Sequence, residues 1–104
     1  MKRGIAKGTT SEGRMVLQLY VSGMSEKSMA AIANIQRICR EMPDDTYLLE
    51  IIDIYKNPKA AADSHIVFSP SLVKSLPLPR KILIGTLADT QKVIIALGIT
   101  IKTR

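Results

Sequence analysis

The chain has 104 residues, 46% apolar and 23% charged, which suits one globular domain and argues against a disordered chain. Its single cysteine, Cys39, excludes an internal disulfide, a CxxC redox pair and a cysteine-built zinc site, and its single histidine, His65, argues against a histidine-built metal cluster. The formal charge of +6 sits at the ends, with Lys2, Arg3, Lys7 and Arg14 against Glu12 at one and Lys102 and Arg104 at the other, so no folded face reads as a nucleic-acid track.

Residues 1–14 contain Gly4, Gly8, Thr9, Thr10, Ser11 and Gly13, with Ile5 as the lone bulky apolar residue. Such a segment cannot offset its ordering entropy, and it is expected to be a flexible basic arm ahead of a domain over 15–104. Met15-Val16-Leu17-Gln18-Leu19-Tyr20-Val21 reads as a buried strand that ends at Ser22-Gly23. Ser25 is placed to cap the following helix, predicted over 26–42. Its apolar positions Met29, Ile32, Ile35, Cys39 and Met42 recur at helical spacing, with Lys27, Asn34 and Arg37 off that face. Pro43-Asp44-Asp45 stops it.

Tyr47 to Ile54 is a second, nearly continuous apolar strand, and strand–helix–strand predicts a parallel βαβ unit with a right-handed crossover. Asn57-Pro58 supplies an N-cap followed by proline at the first helical position, opening a helix of about two turns. Ser71 to Lys74 and Lys81 to Ile84 flank Pro77-Leu78-Pro79 and read as an antiparallel hairpin with prolines at its edge. Asp89 caps a last helix with Val93, Ile94, Leu97 and Ile101 on its apolar side. No apolar run approaches the roughly 18–20 residues of a membrane span, so a soluble cytoplasmic protein is expected.

The element order is β-α-β-α-β-β-α, an α/β arrangement with a four-stranded mixed sheet. This narrows to the thioredoxin-like class, in which a cis proline precedes the third strand; Ser69-Pro70 stands at that place. A redox enzyme on that scaffold needs a nucleophilic cysteine at the start of the first helix, where the helix dipole lowers the thiol pKa. Here that place holds Gly23-Met24-Ser25-Glu26. Cys39 falls near the opposite helix end and is expected to be buried and inert. His65 is expected in a surface or capping role, and Asp53 in a structural hydrogen bond. Gly23 and Gly85 are isolated glycines without a phosphate-binding pattern. No catalytic group, cofactor or metal is expected.

Several strings then resemble the KaiB family of circadian-clock proteins. They are Leu17-Gln18-Leu19-Tyr20-Val21-Ser22-Gly23, Ile52-Asp53-Ile54-Tyr55-Lys56-Asn57-Pro58, Ser69-Pro70-Ser71-Leu72-Val73-Lys74-Ser75-Leu76-Pro77-Leu78-Pro79, and Ile84-Gly85 followed by Lys92-Val93-Ile94-Ile95-Ala96-Leu97. The resemblance runs from about residue 15 to residue 98. It implies a non-enzymatic regulator that binds a KaiC-like hexameric ATPase in circadian-type timing or stress adaptation. Further implied partners are a KaiA-like protein, a histidine kinase, and other copies in a homodimer or homotetramer. The alternatives are a thioredoxin-like redox protein without a CxxC and a sensor-type interaction domain.

The resemblance also implies metamorphism, with a thioredoxin-like fold and a different ground-state fold. Ser69 and Pro70, with Ala96 and Gly98, are the residues this implicates in choosing between them. Ala96-Leu97-Gly98 replaces the family's usual Gly-Leu-Asp; alanine favours helix over glycine by about 0.8–1 kcal/mol, which leans toward the thioredoxin-like form. By resemblance, partner contacts fall to Lys56, Asn57, Pro58 and Lys59, to His65, and to Lys74, Arg80 and Lys81.

Overall fold

A computed structural model describes residues 13–101. The expected arm over 1–14 lies, through residue 12, outside the described residues. The apolar run Met15–Val21 forms β1, and its alternation decides the architecture. Met15, Leu17, Leu19 and Val21 point to one face and join the larger core, while Tyr20 points to the other and joins a smaller one. A strand that buries both faces belongs inside a sheet. The order is indeed β2-β1-β3-β4, with β2 (Tyr47–Asp53) parallel to β1 and β3 (Ser71–Leu76) antiparallel to it. The hairpin partner β4 (Lys81–Ile84) completes the sheet antiparallel to β3.

Between β1 and β2 runs α1 (Glu26–Arg40), two residues shorter than predicted. Ser25 caps it, its Oγ accepting from the Ser28 amide at 3.2 Å. The buried stripe is rotated from the expected one. It comprises Ser28, Ala31, Ile35, Ile38 and Cys39, while Met29 is exposed. Serine holds a core position because its hydroxyl is satisfied there: Ser28 Oγ accepts from the Ser22 amide at 3.0 Å and from Ser25 Oγ at 2.8 Å.

The short α2 (Pro58–Asp63) covers the other face with Ala61, against Tyr20, Ile52 and Val73. The predicted Asn57 cap is corrected: its side chain makes no capping bond, and its backbone carbonyl accepts from the Ala60 amide at 3.1 Å instead. Proline at the first position has already removed one amide that would need a partner. The final α3 (Thr90–Leu97) is capped by Asp89, whose carboxylate accepts from the Lys92 amide at 3.2 Å. It ends at Gly98, which sits in the left-handed region at φ 68°.

There the Gly98 amide reaches the Ile95 carbonyl and the Ile99 amide reaches the Ile94 carbonyl, a Schellman ending that buries Ile99. Ile101, expected on the helix's apolar side, therefore lies beyond the helix and is partly exposed. Ala96 is inside the helix, and the Ser69–Pro70 bond is cis, as are Leu76–Pro77 and Leu78–Pro79.

Candidate partner-binding site

The C-terminal ends of β1 and β2 carry the loop that a thioredoxin-like enzyme would use. Gly23 turns the chain at φ 60°, and a Cβ there would come within 3.3 Å of the Tyr55 ring. Asp53 ties the loops together: its Oδ1 accepts from the Gly23 amide at 3.1 Å and from the Tyr55 amide at 2.9 Å. This is the structural hydrogen bond expected of it. Ser22 Oγ and Ser69 Oγ are 2.6 Å apart, which holds the first loop against the segment preceding Pro70. Ser71 Oγ donates to the Phe68 carbonyl at 2.6 Å, fixing that segment from its other side.

No thiol, histidine or carboxylate pair stands where a nucleophile would act. The position is held by Gly23-Met24-Ser25-Glu26, with Ser25 engaged in the cap through Ser28. Cys39 is buried in the main core. Burial pushes its thiol up from the ordinary 9.0 to about 11. Because the unfolded thiol ionises first, the native state gives up this contribution as pH rises from about 9 to about 11. Urea unfolding across that window is expected to show a steeper loss of stability for the native chain than for Cys39→Ala. Parallel curves would mean that Cys39 is ionised equally in both states.

Instead of reactive groups this end presents apolar ones. Met24 is 80% exposed, Tyr55 73%, Val67 82% and Phe68 60%. The four lie on the loops that Asp53, Ser22 and Ser69 connect. Isolated exposed apolar residues need no explanation, but several gathered at one end mark an interaction surface. The signal for them in the sequence is bulky apolar residues in loops without strand or helix periodicity.

The resemblance-implied contact residues do not form one patch. Lys56 is exposed beside Tyr55, and Asn57 and Pro58 follow it exposed at the start of α2. Lys59 pairs with Asp63 at 3.1 Å on the exposed side of α2. Arg80 reaches back from the hairpin to donate from Nη2 to the Ser64 carbonyl at 2.8 Å, while Ser64 Oγ meets the Tyr20 hydroxyl at 2.8 Å. Lys59 and Arg80 thus border one polar cleft of about 430 Å³, whose floor includes Gln18 and the buried Glu50. His65 is exposed at φ 59°, ending the helix with its amide bonded to the Ala62 carbonyl at 3.1 Å.

Lys74, given by resemblance as a partner contact, is only 5% exposed. Its register partners Leu17 and Lys81 place it on the face covered by α1 and α3, so its aliphatic stem packs there. Lys81, opposite it, is exposed. Among the described residues no group of three or more histidines, cysteines or carboxylates is arranged to hold a metal, and no helix is long and apolar enough to cross a membrane.

A thioredoxin-like module with its cysteine position held by glycine, methionine, serine and glutamate is the class that fold and site define. Solved structures agree on the fold. The N-terminal domain of Synechococcus elongatus SasA has a TM-score of 0.67 at 21% identity, covering 90% of this chain and 92% of that one. A chloroplastic thioredoxin z gives 0.69 at 19% identity, covering 85% and 79%.

The family model described as the KaiB domain matches residues 18–99. Circadian clock protein KaiB3 of Synechocystis sp. is 45% identical over 86 residues, covering 83% of this chain and 84% of its own length. The circadian clock oscillator protein KaiB of Synechococcus elongatus is 38% identical over 84 residues, covering 81% and 82%. The chain belongs to the KaiB family.

Proposed function

We propose that the chain is a KaiB-type clock regulator that acts without chemistry of its own, by docking onto a KaiC-like hexameric ATPase and modulating its cycle. The supporting observation is the pairing of family membership with a nucleophile position that holds no thiol and an apolar loop cluster instead. A surface of exposed Met, Tyr, Val and Phe side chains gains free energy when another protein covers it. Action in the cytoplasm, further partners of KaiA-like or histidine-kinase type, self-association, and a part in stress adaptation belong to the same reading. Co-elution of the purified chain with a KaiC-type hexamer in ATP tests it, and separate elution at micromolar concentrations of both would overturn it.

Charge at the rim of such a surface acts chiefly on encounter rate. Reversing Lys56 and Lys59 to glutamate is expected to slow association with the hexamer by roughly tenfold at low salt, with dissociation little changed. Both side chains are exposed, so the circular dichroism spectrum should stay as it is. Surface-plasmon or stopped-flow association rates read the effect. Unchanged rates would remove these two lysines from the interface while leaving ring binding itself intact.

A further inference from the structure

Of the apolar side chains at the exposed loop end, methionine is the one that a mild oxidant turns polar. Four methionines lie among the described residues, and the fold ranks their access to such an oxidant. Met24, in the turn between β1 and α1, is 80% exposed, and Met29 on α1 is 44% exposed. Met15 and Met42, at 8% and 4%, belong to the main core. The single thiol competes poorly. Cys39 is buried and its pKa is pushed up to about 11, so little of the reactive thiolate exists near neutral pH.

Exposure alone would make Met24 an incidental target, but its neighbours make it more than that. It follows Gly23, which lies against the Tyr55 ring, and it shares the apolar end with Val67 and Phe68. The bonds that tie these loops together run through Asp53, Ser22 and Ser69, and none of them uses the Met24 side chain. A change at its sulfur therefore alters the surface and leaves the scaffold standing. Met29, a turn into α1, lies outside this loop cluster.

We propose that Met24 is a reversible oxidation site that sets how well this end docks: the thioether adds apolar contact, and the sulfoxide holds the partner off. The inference rests on the docking reading given above and names its regulation. The oxidant is a hydroperoxide. One peroxide oxygen passes to Sδ, the O–O bond breaks, the sulfur gives up two electrons, and the alcohol leaves, or water where the oxidant is hydrogen peroxide. Return takes two thiols, which end as a disulfide while the oxygen departs as water. The sulfoxide oxygen is a strong acceptor that must shed its water when a partner covers it. The Val67 and Phe68 side chains offer no donor in exchange.

The full chain treated with hydrogen peroxide, then quenched, is read by peptide mass spectrometry and by binding to a KaiC-type hexamer in ATP. Met24 sulfoxide is expected to form first, ahead of Met29, with Met15 and Met42 slowest. Kd should rise by roughly tenfold or more in step with the oxidised fraction of Met24. Sulfoxide reductases for both epimers, with dithiothreitol, should restore it. Met24→Gln, polar at the same place, should bind about as weakly as the oxidised chain, with its urea midpoint reporting that it is folded. In Met24→Leu, peroxide should leave Kd wherever that variant starts. Oxidation of Met29 or a core methionine before Met24 would overturn the site. A Kd unmoved by full Met24 oxidation, or a peroxide effect that persists in Met24→Leu, would overturn the switch and leave docking intact. An untreated chain that does not bind the hexamer would overturn the docking reading, and the switch with it.

Discussion

Leu19→Ala is expected to lower the free energy of unfolding by about 3–5 kcal/mol, and Ile52→Ala by about 2 kcal/mol. Both delete a buried aliphatic side chain, and the difference lies in what surrounds each cavity. Leu19 is 0% exposed on the internal strand β1, with Ile51 and Leu72 beside it in register and the α1–α3 core above it. Strands on both sides hold its neighbours in place, so the hole cannot collapse and the lost contacts add to the lost transfer energy. Ile52 is 6% exposed, but it sits on an edge strand under the two-turn α2, in a cluster with Tyr20, Ala61 and Val73. A short helix with few anchors can shift inward and fill part of the space. Urea titration with an unchanged m-value measures both losses. Equal losses would show that the smaller core is as rigid as the larger.

Local chemistry made most of this fold legible. Ser25 and Asp89 announce helix starts because their oxygens satisfy amides that a helix leaves unpaired, and both do so. Gly98 announces a helix end because the left-handed residue there carries no Cβ to strain. The parallel βαβ half and the antiparallel hairpin follow from spacing alone. Sheet order was less legible. Tyr47 to Ile54, despite Glu50 and Asp53, is nearly as continuous an apolar run as Met15 to Val21, yet the former lies at the edge and the latter inside. Composition cannot separate them, because half-buried Tyr47 and Leu49 pack on the main core while Ile51 is exposed. Which strand takes a second neighbour depends on where the hairpin returns, a long-range choice.

The candidate site was legible as an absence and not as a surface. That Gly23-Met24-Ser25-Glu26 holds no thiol is a fact of sequence, and the fold puts that segment at the start of α1. The basic residues were harder to place, because a lysine's position along a strand does not reveal what lies above it. Lys74 belongs to the run Ser71–Leu76, and its face is set by pairing with Leu17 across a register shift in β1. Arg80 looks like a free hairpin charge until its guanidinium is found on the Ser64 carbonyl. The long, flexible stems of both residues let folded neighbours decide where the charge ends up.

Asp53→Ala is expected to cost about 2–3 kcal/mol and to loosen the loops that present Met24 and Tyr55, more than an end-of-strand position would suggest. One carboxylate oxygen accepts from two backbone amides that are far apart in sequence, those of Gly23 and Tyr55. Alanine removes both bonds at once, and hydrogen bonds to a charged group are worth more than neutral ones. Partial solvent access lets water take over some of the lost bonding, which keeps the figure below the sum for two fully buried bonds. The Asp53 backbone carbonyl still accepts from the Lys56 and Asn57 amides, so the turn itself should persist. Asp53→Asn separates geometry from charge: its amide oxygen can hold the same two donors, and it should lose about 1 kcal/mol or less. Urea midpoints give the energies, and hydrogen exchange at the Gly23 and Tyr55 amides reports the loosening directly. If alanine leaves exchange at Gly23 unaltered, the carboxylate does not couple the two loops, and the apolar end must be held by the Ser22–Ser69 contact alone.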